Sequence, residues 1–247
     1  MNKLTKRVEK ERWAEAQTWE RDLWLRVEKQ RSSLRKGPVW RLLSFLRLQP
    51  KYRGDDYNKW WREQFDGYSF LPEQVDNAIE LGCGPYTNMR LILEACTAKY
   101  VFLSDPLINT YVNFRDTFVF QAHRKYMAIL DNHPIEECPF RSDYFGLVVL
   151  INVLDHVMDA ELCLRHAMRI VEPGGILIIG QDLTNEDDLR NEQVVNDIGH
   201  PIKMEEEWLD KLTGPRFSTI KHRVLAREAG RNPQAHYGTY IFAGRKL

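Results

Sequence analysis

The sequence predicts an α/β fold: a largely parallel sheet with helices on both faces, preceded by an N-terminal helical extension. Three observations predict it. From residue 77 onward short apolar runs alternate with amphipathic stretches, the pattern of successive β-α-β units. One run, Phe145 to Ile151, is almost continuously apolar, as a strand covered on both faces must be. Residues 1–36 are dense in charge and contain neither Gly nor Pro, which suits one long helix.

Taken in order, that first helix carries an intermittent apolar stripe of Trp13, Ala16, Leu23, Trp24 and Val27, and Gly37 with Pro38 ends it. A second amphipathic segment, 39–48, places Val39, Leu42, Leu43 and Leu46 on one face. It suits either a helix packed on the rest of the chain or on a second copy, or a peripheral contact with an anionic membrane. Residues 50–70 are rich in aromatics, among them Tyr57 and Trp61, which either fill a core or line a substrate pocket. Residues 1–70 therefore divide as a cap region from a domain at 71–247.

Within that domain the expected strands are 77–81, 100–104, 126–130, 145–151, 176–180, 217–226 and 237–244. Helices are expected at 89–95, 111–123 and 158–171. The polar stretch 181–215, with a capped helix start at Thr184 or Asn185 and a helix over 204–212, reads as a lid over an acceptor site.

Composition excludes some classes of function. At 247 residues, 43% hydrophobic and 28% charged, the chain suits a globular protein. No apolar run approaches the roughly 20 residues of a membrane span, and the first twelve residues are too charged for a secretion signal, so a cytoplasmic location is expected. Cys83, Cys96, Cys138 and Cys163 lack metal-binding spacing and read as free thiols. Residues 1–53 hold 15 Lys and Arg against 6 Asp and Glu, while the whole chain holds 35 of each. The basic start either meets an anionic partner or is attracted to the acidic remainder.

The most informative stretch is 77–88, where an apolar run ends at Glu80 and the turn Gly82, Cys83, Gly84 follows. Two glycines one residue apart let the backbone turn sharply and approach a ligand. A dinucleotide fingerprint would need a third glycine where Thr87 stands. The pattern Glu80-x-Gly82-x-Gly84 instead resembles the first motif of class I S-adenosylmethionine-dependent methyltransferases, and the resemblance runs on through Lys246, about 170 residues.

The resemblance implies a Rossmann-like, doubly wound, seven-strand mixed sheet whose last strand is antiparallel, with S-adenosyl-L-methionine as cofactor and S-adenosyl-L-homocysteine as product. Glu80, Gly82, Cys83 and Gly84 would form the cofactor turn. Asp105, ending the second strand, would accept from the ribose hydroxyls, with Pro106 and Leu107 beside it and Leu107 against the adenine. Pro134 stands where many relatives have an acid, so the adenine falls to the backbone around Ile135 and to Glu136. Asn152 and Val153 would close over the methionine part, and Pro173-Gly174-Gly175 is again family-like.

Methyl transfer from a sulfonium asks the protein mainly to hold donor and acceptor together in a dry pocket. A hydroxyl acceptor also needs a proton acceptor, for which His156, beside Asp155, and His200 are the candidates. His222 and His236 fall on edge strands. An anionic acceptor would need a cation, and Lys203 and Arg223 are available. Asp155, Asp159, Asp182 and Asn185 lack a recognised metal spacing, so no metal is expected.

The sequence thus suggests an enzyme methylating a small polar acceptor, a sugar or phosphorylated glycan precursor of surface-polysaccharide or natural-product biosynthesis. Tyr57, Trp61 and Lys203 would contact the acceptor, a homodimer could form through the N-terminal helices, and nucleic acid is not expected as a partner. Two alternatives stand beside it: an RNA methyltransferase using residues 1–53 as a basic arm, and a methyltransferase-fold binding protein without catalysis.

Overall fold

The structure, a computed structural model, describes residues 4–34 and 54–247. The amphipathic segment 39–48, and with it the expected membrane contact, lies outside the described residues.

Helix α1 spans Lys10–Leu34 and α2 spans Lys59–Gln64. Then follow β1 (Gln74–Leu81), α3 (Met89–Ile92), β2 (Thr97–Ser104), α4 (Ile108–Tyr111), α5 (Phe118–Lys125), β3 (Ile129–Asp131) and β4 (Phe145–Ile151). The chain ends with α6 (Ala160–Ile170), β5 (Val171–Leu183), α7 (Glu192–Val195), α8 (Glu206–Thr213), β6 (Phe217–Ala226) and β7 (Gly238–Lys246). The seven strands form one sheet in the order β3-β2-β1-β4-β5-β7-β6, parallel except for β7, which runs antiparallel to both its neighbours. The chain reverses direction across the sheet between β1 and β4, so the carboxyl ends of those strands frame a crevice where ligands bind in such sheets.

Strand β4 is buried at every residue, as its apolar run requires. Phe145, Val148 and Leu150 join the core on one face, Leu147, Val149 and Ile151 the core on the other. The alternation slips at Gly146, where the register against β5 also shifts. Fully burying such side chains contributes about 1.5–3 kcal/mol each, which makes the central strands the rigid base of the crevice.

Several element boundaries differ from the sequence expectation. The N-terminal helix begins at Lys10; before it, the Val8 N–H donates to the Met158 carbonyl and Lys6 accepts from the Ala160 N–H, both at 2.9 Å. The helix expected over 111–123 is broken, because Thr117 accepts from the Phe120 N–H and starts α5 afresh. Tyr126 is left-handed (φ 54°) and closes α5, so β3 starts at Ile129. Strand β5 extends from Val171 through Pro173 and Gly174 to Leu183, absorbing the first three residues of the expected lid. Rather than a helix starting at Thr184 or Asn185, the lid holds a short turn at Asp188–Arg190 and then α7, capped by Asn191.

Candidate active site

A cavity of about 420 Å³ opens at the carboxyl ends of β1, β2, β4 and β5. Gly82, Cys83, Gly84, Asp105, Pro106, Ile135, Glu136, Asn152 and Val153 line it, together with Tyr57, Trp61, His156 and His200. These thirteen residues, all singled out in the sequence, thus meet at one place.

Turn geometry explains the glycines. Gly82 (φ +65°) lies so close to Val153 that a Cβ there would sit 2.0 Å from Val153 Cγ2, whereas Gly84 (φ +57°) faces open space. The Gly82 and Cys83 N–H groups donate to the Ser104 carbonyl at 2.8 and 3.1 Å, tying the turn to β2. Asp105 completes the tie: its Oδ2 accepts from the Gly84 N–H (3.0 Å) and its Oδ1 from the Leu107 N–H (2.8 Å). Burial, and then the nearby Glu20 carboxylate, push the Asp105 pKa up to about 7. Burial also pushes the Cys83 thiol well up, with Asp105 and Glu80 adding to it, so this thiol is no nucleophile.

Four residues expected at the site sit elsewhere. Glu80 is buried beneath the turn, where it accepts from the Thr87 hydroxyl, from Asn88 N–H (3.1 Å) and Nδ2 (2.9 Å), and from the Met89 N–H (2.9 Å). It caps α3 and fixes the loop without lining the cavity. The Leu107 side chain packs into the core beside α4. Lys203 donates to the His200 carbonyl at 2.9 Å, and Arg223 to the Gln64 carbonyl and Oε1, so both cations are engaged away from the cavity.

The cavity's remaining features fit a nucleoside cofactor with an amino-acid tail. Glu136 Oε1 accepts from Met158 and Asp159 N–H at 2.7 and 3.0 Å, which holds the loop after β4 in place beside Ile135. Asn152, at φ +54°, breaks the strand at the cavity rim, and its buried Oδ1 has no partner. Backbone strain together with an orphaned acceptor marks a ligand contact. With the open approach at Gly84 and the Asp105 carboxylate alongside, these residues suit S-adenosylmethionine.

Two histidines face the same space. Their rings lie 4.4 Å apart. His156 Nδ1 is 3.6 Å from Glu20 Oε2, and its Nε2 is 3.8 Å from Asp155 Oδ1. His200 Nδ1 lies 2.8 Å from Asp197 Oδ2. Burial opposes protonation of His200, but the Asp197 hydrogen bond and the Asp155 charge outweigh it and raise its pKa. Burial likewise opposes ionisation of Asp155, yet the two imidazoles hold its carboxyl below the usual range. Asp155, His156 and His200 also bring one ligand atom each within 4.8 Å of one another, close enough to share a cation, as do Glu206, Asp210 and His222. The expectation of no metal, built on Asp155, Asp159, Asp182 and Asn185, did not contain this juxtaposition.

The sequence pattern missed the contribution of α1. Trp13, Gln17, Glu20 and Trp24, spaced three and four apart, form one helix face over the cavity mouth. Basic residues dock the segment: Arg12 donates to the carbonyls of Asp197 (2.8 Å) and Ile198 (2.9 Å), and Lys6 pairs with Glu205 at 2.7 Å. At these positions the basic start meets the acidic remainder of its own chain. Asp182, Arg231, Asn232 and His236 also line the cavity; His236 stands before β7 rather than on an edge strand, the sequence offers Asp182 only as a metal ligand, and no spacing in it marks Arg231 or Asn232.

Residues 79–179 match the methyltransferase domain family. An uncharacterized protein of Methanocaldococcus jannaschii is 29% identical over 152 residues, a match that spans 58% of this chain and 65% of that relative's length. In fold, the chain is similar to the methyltransferase partner in a complex with the Haloferax volcanii Trm112 methyltransferase activator (TM-score 0.57, 15% identity, 78% of this chain and 93% of that one). It is also similar to the N-methyltransferase NodS from Bradyrhizobium japonicum bound to S-adenosyl-L-homocysteine (0.55, 14%, 78% and 88%). The [4+2]-cyclase SpnF shares the fold as well (0.55, 15%, 78% and 80%), so the fold by itself leaves the reaction open.

Proposed function

We propose that this chain, whose residues 79–179 match the methyltransferase domain family, transfers the methyl group of S-adenosylmethionine to a hydroxyl of a small polar acceptor, a sugar or phosphorylated glycan precursor. One observation carries this: two histidines, each beside carboxylates, face the cavity that also holds Asp105 and the glycine turn. A carboxylate or phosphate acceptor would need no proton acceptor, whereas a hydroxyl gains from one.

The bound cofactor supplies an electrophilic methyl on a sulfonium. Asp105 and the turn hold the nucleoside, while Asn152 and Val153 face its other end. α1 covers the mouth with Trp13 and Trp24 and keeps water out. His156 or His200 accepts the hydroxyl proton, and the carboxylates of Glu20, Asp155 and Asp197 stabilise the imidazolium that forms.

The test is methyl transfer from labelled S-adenosylmethionine to nucleotide sugars and phosphorylated glycans, with His156→Asn and His200→Asn. Loss of about 10²–10⁴-fold in kcat in one variant, with S-adenosylhomocysteine affinity kept, is the expected result. Full activity in both variants would remove the histidines from the chemistry.

A further inference from the structure

Four carboxylates, Glu20, Asp105, Glu136 and Asp182, line the cavity, and Arg231 is the one Lys or Arg among its described lining residues. An acidic lining suits a cationic sulfonium donor, whereas a guanidinium suits an anion: either the carboxylate of the cofactor's methionine part or a group on the acceptor. The S-adenosylhomocysteine affinity of Arg231→Gln separates the two, since only the first loses affinity with the guanidinium. Its guanidinium carbon sits 4.8 Å from the Tyr57 ring centroid and 5.6 Å from that of Trp61, both cavity residues. Trp61 is itself fixed, being 1% exposed and packed against Gly180.

Among the described residues the guanidinium has no hydrogen bond or ion pair to a carboxylate; its backbone N–H donates to Thr239 Oγ1. Asp182, the acid whose ionisation it favours, is occupied by the Thr239 hydroxyl at 2.9 Å and held toward neutrality by burial. A guanidinium pinned on aromatic faces keeps its in-plane N–H donors directed outward, the geometry that takes an oxyanion bidentately.

The geometry points to Arg231, backed by Tyr57 and Trp61, as the subsite for an oxyanion, phosphate or carboxylate, carried by the acceptor. This rests on the hydroxyl-methylating function proposed above and narrows it to anionic acceptors. Lys203 and Arg223, the cations the sequence offered for this role, are engaged elsewhere.

The experiment is calorimetric titration of the full chain, saturated with S-adenosylhomocysteine, with glucose 1-phosphate, glucuronate, inorganic phosphate and glucose. At least one anionic probe should bind about 10-fold or more tighter than glucose, as a charged hydrogen-bonded pair supplies. A glucose 1-phosphate preference identifies phosphate, and a glucuronate preference identifies carboxylate. Arg231→Gln should erase the preference, and Arg231→Lys should restore part of it, both with unchanged S-adenosylhomocysteine affinity. The subsite is overturned if the cofactor-bound wild type shows no preference for anionic probes, or if Arg231→Gln keeps it. Failure of the wild type to bind S-adenosylhomocysteine would strike the methyltransferase function instead, which separates the two outcomes.

Discussion

Replacing Glu80 by Gln tests what that buried carboxylate does. In the wild type its two oxygens accept four hydrogen bonds, from the Thr87 hydroxyl, Asn88 N–H, Asn88 Nδ2 and Met89 N–H. A glutamine keeps one acceptor oxygen. Placed toward Asn88, it turns an amide NH₂ on the Met89 N–H, which Thr87 Oγ1 at 3.0 Å covers only in part. One orphaned buried N–H costs about 1–3 kcal/mol, and exchanging a charged for a neutral acceptor adds about 1 kcal/mol. Removing a buried charge returns some of this, since burial already pushes the Glu80 pKa up. The net expectation is a loss of about 1–3 kcal/mol in urea unfolding without ligand. S-adenosylhomocysteine affinity should fall as well, because the glycine turn loosens, and saturating ligand should restore part of the lost stability. An unchanged unfolding midpoint with lost affinity would refute this, because it would make Glu80 a direct ligand contact rather than the anchor of the loop.

Other predictions follow from the same geometry. Gly82→Ala should unfold more readily by more than about 2 kcal/mol, since its Cβ would meet Val153 at 2.0 Å, while Gly84→Ala, with nothing within 4 Å, should cost only the 1–2 kcal/mol of a left-handed alanine and instead weaken cofactor binding; paired urea and calorimetric titrations check both. S-adenosylhomocysteine should bind more tightly as pH rises through about 7 and level off above it, releasing up to one proton near neutrality, because ribose hydroxyls need ionised Asp105. The folded, ligand-free protein holds that proton above the unfolded value of 3.8, so its own stability should fall as pH rises from about 4 to 7. Glu20→Gln should move the binding transition to lower pH, and calorimetry in buffers of different ionisation enthalpy reads it.

Much of the fold was legible because strong local signals and global packing agree. The apolar run Phe145–Ile151 could be nothing but a central strand, and the Glu80 to Gly84 turn announced the crevice beside it. Thr117 was less legible: a single cap residue splits a helix that periodicity alone would continue. Glu80 shows a different limit, since its type and place were clear while its partners, Thr87 to Met89, depend on how tightly the turn closes. The α1 contribution was hidden for another reason. Trp13, Gln17, Glu20 and Trp24 form a mixed polar and aromatic face, which looks like an ordinary solvated helix until the cavity it covers is known. Arg231 and Asp182 reach the cavity from beyond β6 and from β5, brought there by pairing across β7, and no local spacing encodes such a meeting.

The proposed function depends first on the glycine turn and Asp105 binding S-adenosylmethionine. Calorimetric titration of S-adenosylmethionine and S-adenosylhomocysteine into the wild type and Asp105→Ala tests it most directly. Wild-type binding on the order of micromolar, about −8 kcal/mol, and its loss in a variant that remains folded are the expected results. A folded wild type that binds neither compound, or a variant that binds both as tightly, would contradict it.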